Sequence, residues 1–450
     1  MTMQKLESRG FRVGFATFVL FTGLAGDFWR NALSWYGYGV IVAIVVAGSG
    51  VLLLRNRARF RWSGLPYPLI GFLLFSGLSI AWSFYPLYAT LGVFVQWITA
   101  ASAISIAITL SWAELLTALG WALRAILGLS YVFEFIVSAI IRHPIYPVWL
   151  TDHPAHPAQL LYWSRDLLFS LGKIQGIVGN SSLLAMVAIL AAIVFAIQLA
   201  SRSVGRFWGW FWMIVAISTI AITRSATIVI ALALVTAVTI AVILVRRART
   251  PRGRAVVYSG IGMSVLIVAV VGFVLRDPIL HVLGKTDTLT GRLGIWKAVI
   301  GLIDERPGFG WGWLGYWVPW IAPFKGLARA GGVEVMHAHN AWLDVWLQVG
   351  LIGLVIFVAL VLSTLVRSWT VATDRIVTAP DSVGQFSWVA VLPLLMLTAQ
   401  LVQSIAESRM LIEGGWMLLI IWAVKTKLSA PSASVSPRHD FAASSRAGHG

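Results

Sequence analysis

Arg292, Arg306, His337, His339, Asn340 and Asp344 fall within one stretch, 286–353, set between two long apolar runs. A histidine suits proton transfer near neutral pH, because its free pKa lies at about 6.5. A guanidinium carries permanent charge on a planar fork of donors that matches phosphate oxygens. Together these residue types read as a base beside a holder of anions. His337 and His339 stand two apart, with Asn340 adjoining, just ahead of an apolar run. No third ligand stands near them at a suggestive spacing, so no metal is expected. The plain alternative is a histidine at the membrane interface with no chemistry.

Around these residues lie the segments that must place them. In DTLTGRLGIWKAVI, Leu293, Trp296 and Ile300 recur at helical spacing. That helix either lies in the interface with Arg292 touching lipid phosphate, or turns Arg292 inward toward an anionic substrate. RPGFGWGWLGYW places glycine at every second position from Gly308 to Gly312, which permits close backbone approach. It is no P-loop, since no Gly-Lys-Ser/Thr follows. Trp311, Trp313, Trp317 and Trp320 read as an interfacial belt, with sugar stacking as the second reading. HPIYP and TDHPAHP carry His143, His153, His156 and Asp152, but their prolines fit a rigid connector better than a metal site. Arg224, Glu407 and Arg409 each stand at the end of an apolar run, where a charge often only snorkels.

The scaffold is a membrane one. Of 450 residues 59% are hydrophobic and 11% charged, so lipid solvates most of the chain. About twelve windows of roughly twenty apolar residues are found, near 13–29, 36–54, 66–84, 88–110, 113–141, 181–200, 207–223, 225–245, 256–275, 341–366, 388–406 and 409–424. The expected fold is an all-α integral membrane protein, residues 1–428, with a disordered tail over 429–450. The net charge of +17 sits in short clusters such as Arg55–Arg61 and Arg246–Arg254, a positive-inside pattern and no footprint for nucleic acid. With both termini inside, the loops near 142–180 and 276–340 face out, the second carrying short amphipathic helices before the tenth span. Arg124 and Glu134 lie within the fifth window, tilting it or facing the bundle interior. The first apolar run lacks a small-residue cleavage site and reads as an uncleaved helix. There is no cysteine, so disulfides and thiolate sites are excluded.

GIVGNSSLLA (176–185), ITRSATIVIALA (222–233), DTLTGRLGIW (287–296), RPGFGWG (306–312), HAHN (337–340) and QSIAESRML (403–411) appear in an order that resembles the O-antigen ligase and polysaccharide polymerase superfamily of membrane glycosyltransferases. The resemblance covers about 173–425. Its most specific part is His339 and Asn340, followed after nine residues by Gly350 and Gly353. Two positions depart from the pattern: Thr223 precedes Arg224 where serine is common, and Ser182 replaces the second asparagine after Asn180.

This resemblance implies a metal-independent, cofactor-free enzyme of the inner membrane with an extracytoplasmic site. It would move glycan from a polyprenyl diphosphate-linked donor to a glycan or lipid acceptor hydroxyl, beside other polysaccharide-assembly membrane proteins. His339 would be the base, with Arg292 and Arg224 on the diphosphate. His337, Asn340, Arg306, Glu407 and Lys173 would bind substrate, Asn340 or Glu407 orienting the base. Ligase and polymerase share these motifs. The alternative is a multi-span transporter or flippase for lipid-linked glycans, which should place its ionisable residues near the bilayer midplane.

Overall fold

The structure, a computed structural model, describes residues 8–151, 158–274, 286–330, 332–374 and 386–429. Each apolar window read from the sequence falls on a helix. In chain order these are α1 (Arg9–Leu24), α2 (Gly26–Arg55), α3 (Tyr67–Leu78), α4 (Pro86–Thr109), α5 (Trp112–Phe135), α6 (Ser181–Ala200), α7 (Arg206–Thr223), α8 (Ala226–Arg247) and α9 (Pro251–Val274). After α10 (Thr286–Glu305) come α11 (Ala341–Thr373), α12 (Leu392–Ala406) and α13 (Glu413–Ser429). The protein is an all-α integral membrane protein.

Eight helices among the described residues are long and apolar enough to cross a bilayer, against the twelve windows expected. The other four windows fall on α1, α3, α9 and α13. Of these, α1, α3 and α13 are only 16, 12 and 17 residues long, short of a comfortable span. Between the first two windows, 13–29 and 36–54, the helix α2 runs on and breaks at Ser34, where φ is 64°. Among its described residues, the segment before α11 holds the 20-residue helix α10 and a hairpin of β1 (Arg329–Ala330) and β2 (Val333–Glu334). Residues 275–285, the TDHPAHP segment over 152–157 and the tail over 430–450 lie outside the described residues.

α6, α12 and α13 form the buried centre, where Leu418 through Val424 are almost wholly enclosed. α7 instead presents Phe207, Trp208, Trp210 and Ile214 outward, as a helix solvated by lipid should. Arg124 and Glu134 of the fifth window are both accounted for locally. Arg124 is hydrogen-bonded to Gln198 and covers the Phe195 ring. Glu134 accepts from Ser164 Oγ, Gln175 N and Gly176 N at 2.9, 2.9 and 2.7 Å, pinning the loop between α5 and α6 to α5.

α11 is where fold and site meet. Its helix breaks at Val349 and Gly350, the latter at φ 65°. A break frees main-chain groups that lipid cannot satisfy, and the RPGFGWG segment satisfies them. Leu351 N and Ile352 N donate to Pro307 O and Gly308 O; Trp311 N and Gly312 N donate to Leu347 O and Gln348 O. The two backbones come so close that a Cβ on Gly350 would lie 2.1 Å from Gly308 O. Glycine is needed there for both the dihedral and the space.

Candidate active site

Above that break, α11 begins at Asn340, whose Oδ1 accepts from Trp342 N and Leu343 N at 3.0 and 3.2 Å. This is helix capping, which satisfies amides left over at the first turn. Asn180 caps α6 in the same way. Asn340 is therefore committed to the helix, and the group beside the histidine ring is Glu407. His339 Nδ1 lies 3.1 Å from Glu407 Oε2, and Arg292 Nη2 lies 3.4 Å from Oε1 of the same carboxylate. A neutral His339 donates from Nδ1 to Glu407 and leaves Nε2 as an acceptor with no hydrogen bond among the described residues. The three side chains are each about a quarter exposed or less, so they border solvent without being loose in it.

His339 adopts φ 49°, a left-handed conformation uncommon outside glycine. Its neighbours hold it there: His339 N donates to His337 Nδ1 at 3.1 Å, and Trp296 Nε1 donates to Ala338 O at 2.9 Å. Such strain persists only where the surroundings over-determine it, and it clusters at functional sites. Glu407 caps the end of α12 in extended conformation, turning the chain into the corner 407–412.

Charge is distributed unevenly here. Burial by itself would raise the Glu407 carboxyl, but the His339 hydrogen bond, the two histidines and Arg292 hold it below its ordinary value. Burial, reinforced by His339, pushes His337 down to about 3, so it is neutral at pH 7. Its ring sits 4.1 Å from that of His339 and 5.8 Å from Tyr316. Ligand atoms of His337, His339 and Glu407 all lie within 4.8 Å of one another, near enough to hold a metal ion. His337 Nδ1 is already taken by the His339 amide, leaving Nε2 for any such ligation.

Of the residues expected at the site, His339, His337, Arg292 and Glu407 come together. Arg306 stands apart at the far end of α10, stacked over Trp311 at 4.6 Å and beside a cavity of about 440 Å³ walled by Trp82 and Phe309. Arg224 ends α7 in left-handed conformation at φ 48°, exposed, with no hydrogen bond or ion pair among the described residues. Lys173 is exposed, and its carbonyl accepts from Arg165 and Ser181. Asp344, Gln348 and Ser408 received no role from the sequence, yet each is buried against the site's loops. An Asp and a Gln one turn apart on an otherwise apolar helix were the available signal.

Residues 211–358 match the family described as O-Antigen ligase. Over 87 residues, 18% of this chain and 19% of the relative, the chain is 34% identical to Exopolysaccharide production protein ExoQ of Rhizobium meliloti (strain 1021). The alignment thus spans less than a fifth of that protein's length. The resemblance read from the motifs is borne out: the match and the relative both support an O-antigen ligase/polymerase-like family. The family match contains Arg224, Arg292, Arg306, His337, His339 and Asn340; Glu407 and Lys173 lie outside it.

Proposed function

We propose that this membrane protein transfers or polymerises glycan from a polyprenyl diphosphate-linked donor onto an acceptor hydroxyl at the outer face of the cell membrane. The observation that carries the proposal is the Arg292–Glu407–His339 cluster, with Nε2 of His339 left free to accept a proton. His339 Nε2 removes the proton of the acceptor hydroxyl, and Glu407 balances the imidazolium that forms. The hydroxyl oxygen attacks the anomeric carbon. The bond from that carbon to the diphosphate oxygen breaks, and its electron pair leaves on the diphosphate. Arg292 and Arg224 stabilise the charge that accumulates there. Because the donor is already activated, the step requires no nucleotide and no metal.

The basic clusters at Arg55–Arg61 and Arg246–Arg254 support an inside placement for those loops and an outside one for the histidines. Membership of the glycan-assembly class draws support from the O-Antigen ligase match and from ExoQ, named for exopolysaccharide production. The test is direct. Purified protein incubated with lipid-linked oligosaccharide and acceptor should form new glycosidic bonds; lipid-linked substrate that is moved across vesicles without reacting would favour a flippase.

A further inference from the structure

Asp344 lies in the first turn of α11 and is fully buried. A carboxylate taken from water needs compensating hydrogen bonds, and this one has three. Trp317 Nε1 donates to Oδ1 at 2.9 Å, Ala338 N donates to Oδ2 at 3.0 Å, and the Ser408 hydroxyl donates to Oδ2 as well. Asn340 N donates to Ser408 Oγ at 3.2 Å, which leaves the hydroxyl hydrogen available for Asp344. The three donors come from three separate pieces of chain. Trp317 belongs to the glycine-rich loop, Ala338 stands between the two histidines, and Ser408 directly follows Glu407.

We propose that Asp344 is a positioning residue: it sets the His339–Glu407 contact by fixing, on one carboxylate, the segment that carries the base and the corner that carries its partner. The proposal rests on the reading of His339 as base. Asp344 itself makes no hydrogen bond to the His339 ring, so it acts through the main chain at Ala338 and through Ser408. Gln348, one helical turn further along, provides an internal contrast. Its Oε1 accepts from Leu314 N and Gly315 N, both at 2.8 Å, so it anchors the same glycine-rich loop. It reaches neither the histidine segment nor the Glu407 corner.

Asp344→Asn keeps the volume but replaces one acceptor oxygen by an amide that can only donate. Three donors then face one acceptor, and one arm of the clamp must open. In full-length protein turning over lipid-linked oligosaccharide, Asp344→Asn should lower kcat by about tenfold to a hundredfold, the scale of an ångström-level misplacement. KM for the donor should stay within about twofold. Ser408→Ala, which removes a single arm, should lower kcat in the same direction by less. In a Glu407→Gln background, Asp344→Asn should add nothing, because the contact it sets is already lost. Gln348→Met should lower the thermal midpoint while sparing kcat.

Near wild-type kcat in Asp344→Asn would overturn the proposal. So would a loss that multiplies with Glu407→Gln, or an equal kcat loss in Gln348→Met. If Asp344→Asn does not fold, Ser408→Ala carries the same cycle with Glu407→Gln. Wild-type protein that forms no glycosidic bond would instead defeat the glycan-transfer reading and is recognised before any variant is compared.

Discussion

Glu407 Oε2 lies 3.1 Å from His339 Nδ1, although 68 residues separate them. That one contact assigns different parts to two neighbouring histidines. His339 has an oriented ring with Nε2 free; His337 spends Nδ1 on the main chain and is neutral. His339→Ala should therefore lose about 10²- to 10⁴-fold in turnover, the usual worth of a general base. His337→Ala should lose far less. Turnover by each variant, with and without chelator, checks this. Equal loss at both positions together with chelator sensitivity would replace the base by a metal site.

The arginines make a separate prediction. If a diphosphate is gripped by a planar fork, lysine cannot substitute for it. Arg292→Lys and Arg224→Lys should each lose about tenfold to a thousandfold in turnover, at near-normal protein level. Lysine variants with wild-type turnover would reduce both residues to headgroup anchors.

Acid should loosen the histidine segment in a definable range. Folded, His337 titrates at about 3; unfolded, it returns to its ordinary 6.5. Between those values the unfolded chain holds the extra proton, so stability falls as pH drops through that window. Thermal unfolding in detergent from pH 7 to 4.5 should show the decline, and His337→Phe should flatten it. An unchanged slope in that variant would place the acid sensitivity elsewhere.

Gly350→Ala should destabilise the protein by at least about 1–3 kcal/mol, the typical cost of a non-glycine residue forced into strained backbone. The added methyl would also press on Gly308 O. Thermal midpoints read the effect, and Gly301→Ala, in α10 where an added methyl meets nothing within 4 Å, offers a comparison.

Topology is checked by labelling. Cysteines introduced at Ser170 and Lys325 should react with an impermeant thiol reagent in intact cells, and one at Ser259 should not. The reverse pattern would move the histidines to the cytoplasm.

Much of this was legible in the sequence. Helical windows follow from apolar runs, and the His339, Arg292 and Glu407 cluster follows from motifs that name each member. Motif spacing does not report what a side chain is already bonded to. Asn340 adjoins the base in sequence, yet its amide oxygen is consumed by capping. Asp344 looked like one more polar residue before a span, because its three partners arrive from loops no local pattern joins. Eight of the twelve windows meet length and hydropathy together among the described residues, because short helices such as α3 and α13 pass hydropathy but not length.

The interruption of α11 also says where this protein can be cut and rejoined. Residues 341–348 are helical, but their bonds run to the glycine-rich loop and the histidine segment. The natural seam is therefore Gly350, inside the helix, not the apparent membrane boundary at Asn340. A chimera that grafts a relative's histidine-bearing segment should carry everything through Val349 as a single cassette, with the corner 407–412 beside it. Exchanged at Asn340, the graft would keep its histidines and leave behind the shelf on which they stand.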